Sequence, residues 1–335
     1  MSGALLQPDA GGLYCAAGGF WIDPLRPVDR AVITHAHADH ARSGSGDYHT
    51  ADANLPVLAA RIGESAATTA HCWGAPFELG DARVTLFPAG HILGSSWVRI
   101  EVDGRTWGVS GDFKRAPDPT CDAFEPQPVD VWLTECTFGL PVYRWPEPAR
   151  VIDEIMAWWR ACRAANRPAV LFCYALGKAQ RILAELAART DERVWIHGAM
   201  RPLIDAYRDG GIDMLPTSLV SEAGKGRKFG GELVLAPPSA AGSTWMRRFP
   251  KHSAGFVSGW MRIRGNRRRR GYDRGFVMSD HADWPALIET VRDQRARRVI
   301  TIHGSGEPLA GFLRERGLAA ECWDLRATLR GREGA

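Results

Sequence analysis

Ala31-Val32-Ile33-Thr34-His35-Ala36-His37-Ala38-Asp39-His40 places four metal-binding side chains directly behind a short apolar run. Ala31-Val32-Ile33 reads as a buried strand, so the histidines fall on a loop at a strand end. His35 and His37 are two residues apart, and on extended chain alternate side chains share a face, so both can be aimed at one ion. Asp39 and His40 follow as the chain turns and can face a second. Imidazole and carboxylate donors in this mix suit zinc, and also manganese.

Four residues cannot complete two metal sites, so the missing ligands should stand at other strand ends. His91 follows Leu86-Phe87-Pro88-Ala89-Gly90 and precedes Gly94-Ser95-Ser96, where glycines let backbone approach a crowded centre. Asp112 sits in Ser110-Gly111-Asp112, placed to bridge two ions, and His303 closes Arg298-Val299-Ile300-Thr301-Ile302 just before Gly304. The chain has 10 histidines, so any one of them alone would be assigned to the core or the surface. The set, repeated at strand-end and glycine junctions, is what points to a metal centre.

Around these residues the texture changes twice. Residues 1–145 read as short strands, among them Val84–Phe87, Trp97–Val102, Thr106–Ser110 and Asp130–Thr134, the last ending on Glu135. Asp103-Gly104 is a hairpin turn signal. From about residue 146 apolar residues recur at helical spacing (Val151, Ile152, Ile155, Met156, Trp158, Trp159). A buried strand at Ala169–Phe172 and a helix from Ala179 to Leu186 follow. That alternation predicts a parallel α/β unit over 146–271. Strand texture at Gly275–Met278, a helix from about Trp284 and the strand before His303 then return the chain, in 272–335, to the first domain.

Composition narrows the class. Of 335 residues 45% are hydrophobic and 24% charged, ordinary for a globular chain. The net charge of +4 is too small to imply a polyanionic partner, so the placement of charge matters more than its total. The 7 cysteines are scattered without a Cys-x-x-Cys pair, which fits neither a zinc ribbon nor a disulfide framework and suits a reducing cytoplasm. No signal peptide and no membrane-spanning run is read.

His-x-His-x-Asp-His at 35–40, then His91, then Gly111-Asp112, in this order, resemble the metal motifs of the metallo-β-lactamase fold. Three more features resemble its β-CASP nucleic-acid-processing branch: Glu135 in Leu133-Thr134-Glu135-Cys136-Thr137-Phe138-Gly139, His281 in Ser279-Asp280-His281-Ala282-Asp283, and His303 in Ile302-His303-Gly304. Ala175-Leu176-Gly177-Lys178-Ala179-Gln180 resembles a segment of mRNA 3′-end-processing endonucleases. Ser110-Gly111-Asp112-Phe113-Lys114-Arg115 and the short chain look most like bacterial exonucleases associated with DNA ligases. The resemblance implies an αββα metallo-β-lactamase sandwich with an inserted parallel α/β β-CASP domain.

It also implies roles. One divalent ion would take His35, His37 and His91, the other Asp39, His40 and His303, with Asp112 bridging; the pair activates the nucleophile and clamps phosphate oxygens. Asp39, His281 and Glu135 are the catalytic candidates. His281, outside the metal set, would protonate the departing sugar oxygen, and Glu135 would orient its ring and keep it charged. Arg262, Arg264, Arg267, Arg268, Arg269 and Arg270, with Trp260 nearby, form the sharpest basic cluster and the candidate phosphate track. Lys225, Arg227 and Lys228 form a weaker one. Ser95 and Ser96 either hydrogen-bond near the site or cap a local turn.

The sequence therefore predicts a metal-dependent, cytoplasmic phosphodiesterase on nucleic acid: a DNA exonuclease in repair, functionally associated with a DNA ligase, or alternatively an RNA-processing endo- or exoribonuclease. A small-molecule metallohydrolase would need neither the inserted domain nor the His281/Glu135 pair.

Overall fold

The computed structural model describes residues 4–263, 265 and 271–325. The chain divides into two compact units, one made of Met1–Tyr143 with His281–Ala335, the other of Arg144–Asp280.

The first unit holds two sheets. The first sheet runs in sequence order: β1 (Leu6–Asp9), β2 (Gly12–Cys15), β3 (Phe20–Ile22), β4 (Arg30–Val32), β5 (Asp47–Ala51) and β6 (Thr68–His71). The second contains β7 (Phe77–Leu79), β8 (Ala82–Pro88), β9 (Ser96–Val102), β10 (Arg105–Val109), β11 (Val131–Glu135), β18 (Arg298–Ile302) and β19 (Ala319–Trp323). Its order is β19-β18-β11-β10-β9-β8-β7. Strand periodicity explains how they pack. Val98, Ile100 and Val102 of β9, with Val131 and Leu133 of β11, join Leu13, Phe20, Ile22 and Val32 of the first sheet in one core. The alternate residues Trp97, Trp132 and Val299 face the opposite way. There they pack on Trp284, Leu287 and Val291 of the helix Trp284–Asp293 and on Leu309 and Leu313 of the helix Gly306–Arg314.

The second unit is a sheet with every pair parallel. Its strands are β12 (Ala169–Phe172), β13 (Val194–Ile196), β14 (Thr217–Leu219), β15 (Leu233–Ala236), β16 (Ser253–Val257) and β17 (Arg274–Phe276), in the order β14-β13-β15-β12-β16-β17. One face is covered by the helices Pro148–Ala164, Lys178–Ala187 and Arg201–Asp209, the other by Phe229, Phe249 and Met261 from connecting segments. Burial on both faces accounts for the unbroken apolar run Ala169-Val170-Leu171-Phe172.

One boundary differs from the sequence reading. The return to the first unit falls at His281, not at residue 272, because Arg274–Phe276 pairs in parallel with Gly255–Val257 and completes the second unit's sheet. A three-residue strand carries no periodicity that could announce its partner.

Candidate metal centre

β4 ends at Val32, and Ile33 is still held by its amide to the His49 carbonyl (2.8 Å), so the chain enters the histidine loop from a fixed strand. A turn follows, with the amides of His40 and Ala41 both donating to the His37 carbonyl at 3.0 and 2.8 Å. This turn swings His40 back beside His35, their ring centroids 4.1 Å apart. His91 comes from the loop after β8. There Ser95 Oγ accepts from the amides of His91 (3.0 Å) and Ile92 (3.2 Å), and a Cβ on Gly94, at φ +69, would stand 2.2 Å from the Asn54 amide nitrogen, so none fits. Ser95 is therefore the turn cap, and Ser96 joins Trp73 Nε1 and the Gly94 carbonyl. Asp112 follows β10 through Gly111, at φ +53 and packed against Thr34.

Four donors converge. His37 Nδ1 lies 3.1 Å from His35 Nε2 and 3.0 Å from His91 Nε2, while Asp112 Oδ2 lies 3.5 Å from His35 Nε2 and 3.7 Å from His91 Nε2. A ring nitrogen offers one in-plane hydrogen bond, so His37 Nδ1 cannot satisfy two imidazoles at once. Three such nitrogens and a carboxylate facing inward are instead a group that could hold a metal ion. For metal–nitrogen bonds of 2.0–2.1 Å, tetrahedral donors stand about 3.3 Å apart, which these spacings match.

The tautomers are set from behind. Thr34 Oγ1 donates to Asp23 Oδ2 (2.5 Å) and accepts from His35 Nδ1 (3.0 Å), which leaves the His35 Nε2 lone pair toward the site. His40 Nδ1 bonds the same Asp23 oxygen at 2.7 Å, leaving Nε2 3.5 Å from Asp112 Oδ2. Asp23 also accepts from the Thr34 amide at 2.8 Å and sits in left-handed backbone at φ 45. Sequence reasoning missed it. Its one signal was an acid at a strand end, after Phe20-Trp21-Ile22.

Electrostatics agree with a site built for positive charge. Burial, aided by the neighbouring His40, holds the His35 imidazole well below its ordinary pKa, so it is neutral. Burial presses His40 the same way, but the Asp112 and Asp23 carboxylates outweigh it and hold His40 well above its ordinary value. Burial would raise Asp112, yet His40 and His281 keep it well below the usual carboxylate range.

The second predicted donor set is more open. Asp39 is exposed, with Oδ2 3.9 Å from His40 Nε2, and the ring of His303 lies 6.0 Å from that of His40. Asp39, His40 and His303 line one pocket with Asp23, Gly111, Leu13, Leu25 and Leu325. His303 stands outside the tight donor groups found among the described residues, and its backbone is left-handed at φ 60.

His281 and Glu135 meet on the other side of Asp112. His281 Nδ1 is 3.0 and 2.9 Å from the two Glu135 carboxylate oxygens and 3.9 Å from Asp112 Oδ2, and its ring lies 4.8 Å from that of His91. Glu135 is buried at the end of β11 and accepts the Phe113 amide at 2.9 Å.

The arginine cluster is only partly visible. Arg262 is exposed at the end of the 3-10 turn Gly259–Arg262, while Arg264, Arg267, Arg268, Arg269 and Arg270 lie outside the described residues. In the weaker cluster Arg227 bonds Glu232 Oε1 at 2.8 Å and lies over the Trp195 ring, and Lys225 and Lys228 are exposed. No described helix is long and apolar enough to cross a membrane.

No family model matches the chain. It is 32% identical over 317 residues, 94% of its length, to a protein of Opitutus terrae named "Probable DNA ligase", of which the match covers 30%. It is 32% identical over 110 residues to cleavage and polyadenylation specificity factor subunit 3 of Dictyostelium discoideum. That match takes in 32% of this chain and 14% of the relative. It is 31% identical over 109 residues to Endoribonuclease YSH1 of Kluyveromyces lactis, again 32% of this chain and 14% of the relative. The chain thus spans less than a third of the length of each of these relatives. A solved structure of a protein of unknown function from Enterococcus faecalis shares the fold, with a TM-score of 0.56 at 12% identity over 81% of this chain and 74% of that one. The chain is similar over nearly all its length to part of a protein named as a DNA ligase, and over about a third of it to proteins named for RNA cleavage.

Proposed function

We propose that the chain is a metal-dependent nuclease: a metallo-β-lactamase sandwich (the first unit) with a β-CASP domain (the second), cutting phosphodiester bonds of nucleic acid. One observation carries this reading. Asp112 Oδ2 stands within 3.5–3.9 Å of His35, His40, His91 and His281, so a cation donor set and a carboxylate-held imidazole meet at one oxygen. A metal centre alone would serve many hydrolases. A separate imidazole is what an alkoxide leaving group demands, because a sugar oxygen departs poorly without a proton.

His35, His37, His91 and Asp112 would hold one divalent ion, zinc or manganese, and Asp112, His40, Asp39 and His303 a second. Bound there, such ions would activate water as the nucleophile and neutralise charge on the phosphate. The chain's own groups do the rest. Asp23 fixes the tautomer of His40 directly, and that of His35 through Thr34. Glu135 takes Nδ1 of His281, so Nε2 is the atom that delivers a proton. Glu135 itself is held by the Phe113 amide, so the ring is oriented before substrate arrives.

DNA is the preferred substrate in this reading, with an exonuclease role in repair beside a DNA ligase, supported by the similarity to a protein named as a DNA ligase over 94% of the chain. Similarity to an endoribonuclease over 109 residues supports RNA as the second reading. Incubating the purified chain with end-labelled single-stranded DNA and the matching RNA, under zinc and under manganese, decides between them. Cleavage of neither would reject the nuclease.

A further inference from the structure

The helix Lys178–Ala187 carries two basic residues in its first turn, Lys178 and Arg181, and no acidic one. Cations there oppose the helix dipole, and both of these are also buried, each 2% exposed. Burying an ammonium and a guanidinium is unfavourable unless a carboxylate and further hydrogen bonds compensate. The compensation comes from nearly a hundred residues away in sequence. Lys178 Nζ donates to Asp280 Oδ1 at 2.6 Å, and Arg181 Nη1 lies 3.5 Å from the same oxygen and donates to the Ser279 carbonyl at 3.1 Å. Arg181 Nε also lies 3.9 Å from Glu185 Oε1.

Ser279 and Asp280 close the second unit in sequence, and His281 is the next residue. After it the chain stays fastened: the Ala282 amide donates to the Phe113 carbonyl at 2.6 Å, and Asp283 caps the helix Trp284–Asp293 through the Ala286 amide at 3.1 Å. Five consecutive residues are thus each tied by backbone or side chain. An apolar pair would pack this turn without opposing the dipole, but it would leave the Ser279 carbonyl and the Asp280 carboxylate without these donors.

Building on the nuclease reading, we propose that Lys178 and Arg181 are positioning residues for His281. Acting through Ser279 and Asp280, they fix the backbone from which the imidazole departs. Displacement of a catalytic group by about 1 Å slows a reaction up to about 10²-fold. Lys178→Met, Arg181→Met and Asp280→Asn should therefore lower kcat on a single-stranded oligonucleotide by roughly 10–10²-fold, with KM and metal content unchanged. On bis(4-nitrophenyl) phosphate, whose leaving group needs no proton, the same variants should stay close to wild type, and Lys178→Arg should recover most of the oligonucleotide rate.

Equal losses on both substrates would make the network merely structural and overturn the proposal, as would wild-type rates on the oligonucleotide. If Lys178→Met does not fold, Asp280→Glu, which keeps the charge but changes its reach, carries the same two-substrate comparison. Wild-type protein that cleaves neither DNA nor RNA would strike down the nuclease reading itself. Active wild type with unaffected variants would strike down this inference alone.

Discussion

His281 Nδ1 stands 2.9 and 3.0 Å from the two oxygens of Glu135, across 146 residues of sequence. The carboxylate is buried and the imidazole partly exposed, its side chain 22% accessible, so the ring is anchored through Nδ1 to a buried acid.

His281→Ala should leave metal content intact and slow cleavage of an oligonucleotide by roughly 10²–10⁴-fold, the range for losing a positioned general acid. Glu135→Gln should do less, since it removes the charge that favours imidazolium but keeps a hydrogen-bond partner. The His281→Ala deficit should shrink on a nitrophenyl phosphodiester. Loss of an ion from this variant would instead make His281 a ligand, a role its place in a group with Asp112 and Glu135 would permit.

Asp112→Ala should abolish activity on both substrates and release at least one ion while the fold survives, measured by metal analysis and thermal unfolding. Two ions per chain are expected in the wild type. A single ion retained in full by the variant would rule out the bridging role.

Asp23→Ala should weaken metal binding by about 10–100-fold, the usual effect of removing a carboxylate that orients a ligating imidazole. Excess zinc or manganese should recover much of the activity, which it would not do for Asp112→Ala. Unchanged affinity in a competition with a chelating dye would contradict the role given to Asp23.

Away from this centre, burial and the neighbouring His49 depress the His71 pKa from 6.5 to about 4, only partly offset by Asp47. His71 Nε2 lies 3.0 Å from His49 Nδ1, and its ring stacks on Phe77 at 3.4 Å. Between these pH values the unfolded chain binds a proton that the folded chain does not, so this group's stability is full above about pH 6.5 and lost as pH falls toward 4. In chelator, Tm should fall across that window, and less steeply for His71→Phe, which keeps the stacking and cannot titrate. Parallel Tm profiles would show that His71 takes no part.

The sequence by itself determined the candidate donors and the local elements that carry them. Apolar alternation located β8 to β11, helical spacing located Pro148–Ala164, and the strand-end glycines marked where His91 and Asp112 enter. These are short-range properties, fixed by side-chain periodicity and backbone freedom within a few residues. Only the tertiary structure decided which donors share an oxygen. The parallel register of Glu135 with Ile302 sets His303 at the rim beside His40, not in the tight cluster, and Asp23 becomes the residue behind two imidazoles. It also decided that Arg274–Phe276 belongs to the second sheet and that Lys178 answers to Asp280. Such pairings depend on sheet register and on the balance of buried charge, which operate across a hundred residues and leave no periodic trace in the chain.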